Sequence, residues 1–193
     1  IRGAGRFYSC NLLDQFRRWP FLRAETPKSA AVVSQFLVSG WQDVGLPGGL
    51  YIDNDAVWSG GGRGQRVLST IVRLCLLVGV EVMFIPPYTY EANPVIESFN
   101  RVWDSNFWRR TSFRDLSHVQ SELAFFEHYC RHRRSLAGFD GLTADQIAPD
   151  FVPMLLPSDF DQHQQKRLPI TAGKVHFIRF VSGAGAFSVL NER

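Results

Sequence analysis

The sequence predicts an α/β fold, a mixed sheet flanked by helices, on three observations. Short apolar runs bounded by Gly, Pro or acidic residues read as strands. Longer runs with apolar residues near a 3.6 period read as helices. The two kinds follow one another as strand, strand, helix, strand, helix, strand, helix, helix, the pattern of layered α/β domains.

Residues 7–13 are apolar and aromatic, and residues 14–18 form a polar turn after them. The second strand, 19–24, carries Pro20, which places it at its own start or at a sheet edge. Glu25-Thr26-Pro27 opens a helix whose apolar positions include Ala31, Val32, Phe36, Leu37 and Trp41, and residues 45–49 close it. The third strand, 50–52, ends at Asp53-Asn54-Asp55. After the glycine-rich stretch 60–64, residues 67–78 read as a buried helix ended by Gly79. The fourth strand, 80–85, stops at Pro86-Pro87. Residues 94–109 begin with a proline and read as an amphipathic helix, and 117–134 as another. Thr143 to Gln146 caps a short helical turn, and Pro149, Pro153 and Pro157 mark an extended linker. The alternation at Val175, Phe177 and Ile178, then Phe187, Val189 and Leu190 beyond a Gly183/Gly185 turn, reads as a small β module. The expected division is a core over 1–150, then a linker and partial β-barrel over 151–193.

With 193 residues, 45% apolar and 20% charged, the chain suits one medium domain with a small appendage and a real core. A net charge of +3 permits a nucleic-acid partner without demanding one. Cys10, Cys75 and Cys130 are odd in number and lack zinc-ligand spacing, which reads as buried apolar cysteines in a reducing compartment. No apolar run reaches the roughly 18 residues of a membrane span, and no signal peptide is visible.

Two carboxylates occupy informative places. Asp53 ends a buried strand, where α/β sheets usually carry chemistry. Glu97 lies in the first turn of the helix from Pro94. A fold that brings two such groups together offers hard oxygen ligands to Mg²⁺ or Mn²⁺. Alternatively, Asp at a strand end forms turns or caps, and Glu in a first helical turn is favoured by the macrodipole.

Leu50-Tyr51-Ile52-Asp53-Asn54-Asp55 resembles the strand that carries the second acidic residue of integrase-core domains, commonly Asp-Asn-Gly. Residues 79–87 followed by Glu91-Ala92-Asn93-Pro94-Val95-Ile96-Glu97-Ser98-Phe99-Asn100 are similar to the last strand, loop and catalytic-glutamate helix of the same family. That family is the DDE-type transposase and retroviral-integrase core found in bacterial insertion-sequence transposases. The resemblance runs through residues 7–150, and 168–179 are similar to the small β-barrel that follows some of these cores. It implies an RNase H-like fold and metal-dependent phosphodiester cleavage and strand transfer at transposon ends. It further implies Mg²⁺ or Mn²⁺ held by Asp53 and Glu97, DNA ends and target as partners, and a homo-oligomer on DNA. A cytoplasmic, nucleoid-associated place in a prokaryote, with no membrane partner, also follows.

The sequence departs from that pattern. The family's first catalytic aspartate lies on a strand before residues 7–13, so the chain, which begins at Ile1 rather than Met, reads as a fragment, inactive alone. Asp14 follows the strand that comes second and is a poor substitute. Asp55 replaces the glycine of Asp-Asn-Gly, and Pro94 that of the usual Asn-Gly. The interval from Asp53 to Glu97 exceeds the shortest in the family, and the loop around Gly60 to Gly64 is able to absorb the excess.

Expected DNA contacts are Asn93, Asn100 and Arg101 around Glu97, Tyr88 in the preceding loop, and Arg63. The glycine run at 60–64 lacks the Gly-Lys-Ser/Thr of a phosphate loop. Arg131 to Arg134 reads as a solvated helix end or a phosphate contact. The five histidines show no metal-ligand spacing. Two rival readings are a non-catalytic DNA-binding or decayed transposase relative, and an RNase H-like nuclease unrelated to transposition.

Overall fold

The structure is a computed structural model in which residues 7–53, 68–86, 93–163 and 170–178 are described. The chain divides into two compact units. One comprises Ile1–Lys28, Phe36–Leu46 and Val95–Ser158; the other comprises Ser29–Gln35, Pro47–Pro94 and Asp159–Arg193.

The first unit opens with a hairpin of β1 (Tyr8–Leu13) and β2 (Pro20–Glu25), antiparallel from Tyr8↔Glu25 to Leu13↔Pro20. Asp14 builds its turn. Its Oδ1 accepts the backbone N–H groups of Phe16 at 2.8 Å and Arg17 at 3.2 Å, while its Oδ2 pairs with Arg17 Nε at 2.7 Å. Pro20, lacking an N–H, stands at the first position of β2 as expected, and its carbonyl accepts Arg131 Nε at 3.0 Å and Nη2 at 2.7 Å.

Three helices complete this unit: the C-terminal part of α1 (Ala30–Asp43), then α3 (Pro94–Trp103) and α4 (Leu116–His132), which Asp115 caps through the His118 N–H at 2.8 Å. Residues 94–109 were expected to be one helix. The α-helix instead gives way at Asp104 to a five-residue π turn, Asp104–Trp108. That extra residue in the turn is the usual form of a π-bulge, and it brings Phe107 and Trp108 both into ring contact with Trp103, at 6.2 and 5.7 Å. The core joins Leu22 and Ala24 of β2 to Phe99, Trp103, Phe107, Phe113, Val119, Leu123, Phe126 and Cys130.

The segment expected to be an extended linker lies along the end of α1. Leu46 N–H donates to the Met154 carbonyl at 2.8 Å, Leu156 N–H to the Trp41 carbonyl at 3.2 Å, and Gln42 Nε2 to the Pro157 carbonyl at 2.9 Å. Leu156 is buried there. Before it, α5 (Ala144–Ile147) begins at the Thr143/Gln146 capping box the sequence suggested.

The second unit is a βαβ arrangement. The strands β3 (Gly49–Ile52) and β4 (Glu81–Phe84) run parallel, and α2 (Thr70–Leu77) lies between them in sequence. Ser69 caps α2 by accepting the Val72 N–H at 3.0 Å, and Ile71, Val72, Leu74 and Cys75 are buried. Gly79, at φ +79°, ends it as the sequence predicts.

Two expectations need correction. Among the described residues the strands form a two-stranded antiparallel sheet and a three-stranded parallel one, not a single mixed sheet. The C-terminal strand β5 (Val175–Phe177), expected in a partial β-barrel, pairs in parallel with β4, and no closed barrel is present among the described residues. The alternation at 175–178 specifies a strand but not its neighbour. Phe177 stacks on Phe84 at 4.9 Å, and His176 Nε2 meets Glu81 Oε2 at 2.9 Å, so side chains favour β4 as the partner. The expected turn at Gly183/Gly185 and the strand 187–190 lie outside the described residues.

Candidate functional site

In the second unit, Leu50 and Ile52 are buried while Asp53, the next residue, is exposed where β3 ends. Ile85 N–H donates to the Ile52 carbonyl at 3.0 Å, extending the ladder just beyond β4. Asp53 therefore stands at the C-terminal end of a parallel sheet, the side on which such sheets carry ligands.

In the first unit, Glu97 lies in the first turn of α3 and is half-buried. The helix turns its apolar side to the core through Ile96, Phe99 and Trp103. Residues 93, 97, 100 and 104 recur at helical spacing and line one stripe beside that apolar side. Asn93 begins the stripe, with Oδ1 buried and lacking a hydrogen-bond partner among the described residues. Asn100 Oδ1 accepts Asn11 Nδ2 of β1 at 3.0 Å. Asp104 pairs with Arg109 at 2.6 Å. Arg101 is exposed, one step round the helix. Among the described residues the Glu97 carboxylate has neither an ion pair nor a hydrogen bond.

Asp53 and Asn93 belong to the second unit, and Glu97, Asn100 and Arg101 to the first. Tyr88 and Arg63 lie outside the described residues. Asp14 is committed to its turn and to Arg17. Asn11 escaped the sequence reading, because nothing local in a strand announces a partner 89 residues away.

Asp53 and Glu97 are each carboxylates, hard oxygen donors of the kind Mg²⁺ or Mn²⁺ prefers and a thiolate-seeking metal does not. Among the described residues no three or more His, Cys, Asp or Glu side chains gather as a metal cage. The thiols offer no alternative, since burial pushes Cys75 and Cys130 up to about 12 and raises Cys10. The basic run at 131–134 is not uniformly solvated. Arg131 turns inward to Pro20, to Asp43 at 2.6 Å and to Glu127 at 3.2 Å. No helix among the described residues is long and apolar enough to cross a membrane.

No family model matches the chain, and no curated protein matches it. Among solved structures, it is similar to a chain in the cryo-EM structure of the simian T-cell lymphotropic virus intasome in complex with PP2A regulatory subunit B56 gamma. The TM-score is 0.60 at 12% identity, over 80% of this chain and 53% of that one. The present chain thus spans about half the length of its neighbour. The likeness is one of fold: the chain has an integrase-like α/β fold.

Proposed function

We propose that this chain forms the greater part of an RNase H-like, DDE-type integrase or transposase core, acting on DNA ends as a multimer. The observation that carries the reading is the pairing of an integrase-like fold with Asp53 at the end of a parallel strand and Glu97 in the first turn of α3.

Asp53 and Glu97 would hold Mg²⁺ or Mn²⁺, which supplies activation of an attacking hydroxyl and stabilisation of a leaving oxygen. The protein's own part is to present the two carboxylates and to place the DNA. The stripe of Asn93, Glu97 and Asn100, with Arg101 beside it, offers amide and guanidinium donors to backbone phosphates. Water or a DNA 3′-hydroxyl attacks phosphorus in line and displaces the strand's own oxygen, without a bond to the enzyme.

The test is nicking and strand transfer on labelled transposon-end DNA in Mg²⁺ or Mn²⁺, using the full protein. Asp53→Asn and Glu97→Gln should each abolish product while leaving DNA binding in Ca²⁺ intact. Product formation that survives both substitutions overturns the reading. The commitment of Asp14 to the β1–β2 turn favours a second reading, a DNA-binding relative without chemistry; DNA binding with no product from the full protein would select it.

A further inference from the structure

The hydrogen bond between Asn11 and Asn100 has a direction. Asn11 Nδ2 donates and Asn100 Oδ1 accepts, at 3.0 Å. Behind it, Ser9 Oγ donates to Asn11 Oδ1 at 3.4 Å, so the line Ser9–Asn11–Asn100 runs with one polarity from β1 to α3. A carboxamide has an accepting end and a donating end. Engaging the Asn100 carbonyl leaves its amino group as the free end, and an amino group only donates. Both asparagines are half-buried, so the pair is partly sheltered from competing water.

Glu97 precedes Asn100 by three residues on the same stripe, within side-chain reach along a helix. A DNA phosphate beside Glu97 needs donors, because its oxygens only accept. An Asn100 turned the other way would set a carbonyl oxygen against that phosphate. We propose that Asn11 is a positioning residue: it fixes the Asn100 carboxamide so that its amino group faces a DNA phosphate next to Glu97. This rests on the reading of α3 as the DNA-facing helix. It assigns β1 a part in recognition rather than in framework alone.

The experiment is fluorescence anisotropy of a fluorescein-labelled DNA duplex with the purified chain in Ca²⁺, comparing the unmodified chain, Asn11→Asp, Asn100→Ala and the double variant. A carboxylate at position 11 only accepts, so it draws the Asn100 amino group inward and turns the carbonyl outward. Binding should weaken about three- to tenfold, the range of one net hydrogen bond. The same Asn11→Asp change should have no further effect once Asn100 is alanine. Asn11→Leu removes both amide ends without adding charge and should repeat the coupling at smaller amplitude, which covers the case of an Asn11→Asp protein that does not fold. Equal weakening by Asn11→Asp in both backgrounds means simple charge repulsion and overturns the proposal, as does binding indifferent to Asn11. If the unmodified chain binds no DNA, the functional reading fails and this proposal with it.

Discussion

Glu127 of α4 accepts the backbone N–H of Leu22 in β2 at 2.9 Å, so a buried carboxylate joins helix to hairpin. The same carboxylate meets Arg131 at 3.2 Å and Arg23 at 3.3 Å. Burial raises its pKa, against the opposing pull of the Leu22 N–H and the two guanidinium groups. Glu127→Ala strands the Leu22 amide, but Arg131 keeps Pro20 and Asp43. The expected loss is therefore about 1–3 kcal/mol in urea unfolding, below that of a fully orphaned ion pair. Because the folded pKa is raised, the stabilising share is complete below the ordinary value of 4.5 and fades as pH rises through the folded value. Glu127→Gln lacks that titration, so its stability relative to the unmodified chain should improve from acid to neutral pH. A difference independent of pH would refute the assignment.

Gly45 closes α1 at φ +107°, and a Cβ there would lie 2.6 Å from the Pro153 Cβ. Both the backbone angle and the close approach exclude other residues. Gly45→Ala should cost about 1–3 kcal/mol and loosen the contact between Leu46 and Met154. Adding Pro153→Gly should restore the steric part but not the backbone part. Thermal melts of the three variants separate the two contributions, and an unchanged melt for Gly45→Ala would contradict the geometry.

Elements with their own local signals were legible in the sequence. Pro94 opens α3, Gly79 ends α2, Thr143 and Gln146 cap α5, and Leu50 to Ile52 form a strand ending at Asp53, because each depends on residues within one turn or strand. What was not legible depends on distant partners. Arg131 read as part of a solvated helix end or a phosphate contact, whereas in the fold it turns inward to Pro20 of β2 and to Glu127. The π turn follows from the packing of Phe107 and Trp108 on Trp103, not from propensity. β5 was read as a strand but assigned to a barrel, because a three-residue alternation does not identify its neighbour. Asp53 and Glu97 were legible as places, a strand end and a helix start; the Asn11–Asn100 hydrogen bond was not.

Glu81 of β4 is held below the ordinary carboxylate range chiefly by the hydrogen bond to His176 within β5, then by that to Lys174 just before it. A lowered folded pKa gives a contribution present above the ordinary value of 4.5 and lost as pH falls through the folded one. β5 should therefore loosen in acid. Hydrogen-exchange protection factors should drop at Ile178, whose N–H donates to Phe84, and at Val82, whose N–H donates to Lys174. Glu81→Gln should flatten that acid response. The Glu81 side chain is half-buried at the surface, so the change stays local; a loss of protection across the whole second unit would point to another cause.

Phe107 lies at the meeting point of the aromatic core, 4.9 Å from Trp108, 4.9 Å from Phe113 and 5.3 Å from Phe126 between ring centroids. The π turn Asp104–Trp108 carries it. Phe107→Ala leaves a cavity beneath α3 that these stiff neighbours fill poorly, with an expected cost of about 3–5 kcal/mol. Phe107→Leu keeps most of the volume and loses mainly the ring contacts, each worth about 0.5–1.5 kcal/mol, so it should fall clearly short of the alanine variant. A cavity at that point also frees the helix that carries Glu97 and Asn100. Under the proposed function, Phe107→Ala should therefore weaken DNA binding at temperatures where circular dichroism still reports a folded chain. Unfolding curves that place the leucine variant at or beyond alanine would show that ring geometry, not volume, governs this core.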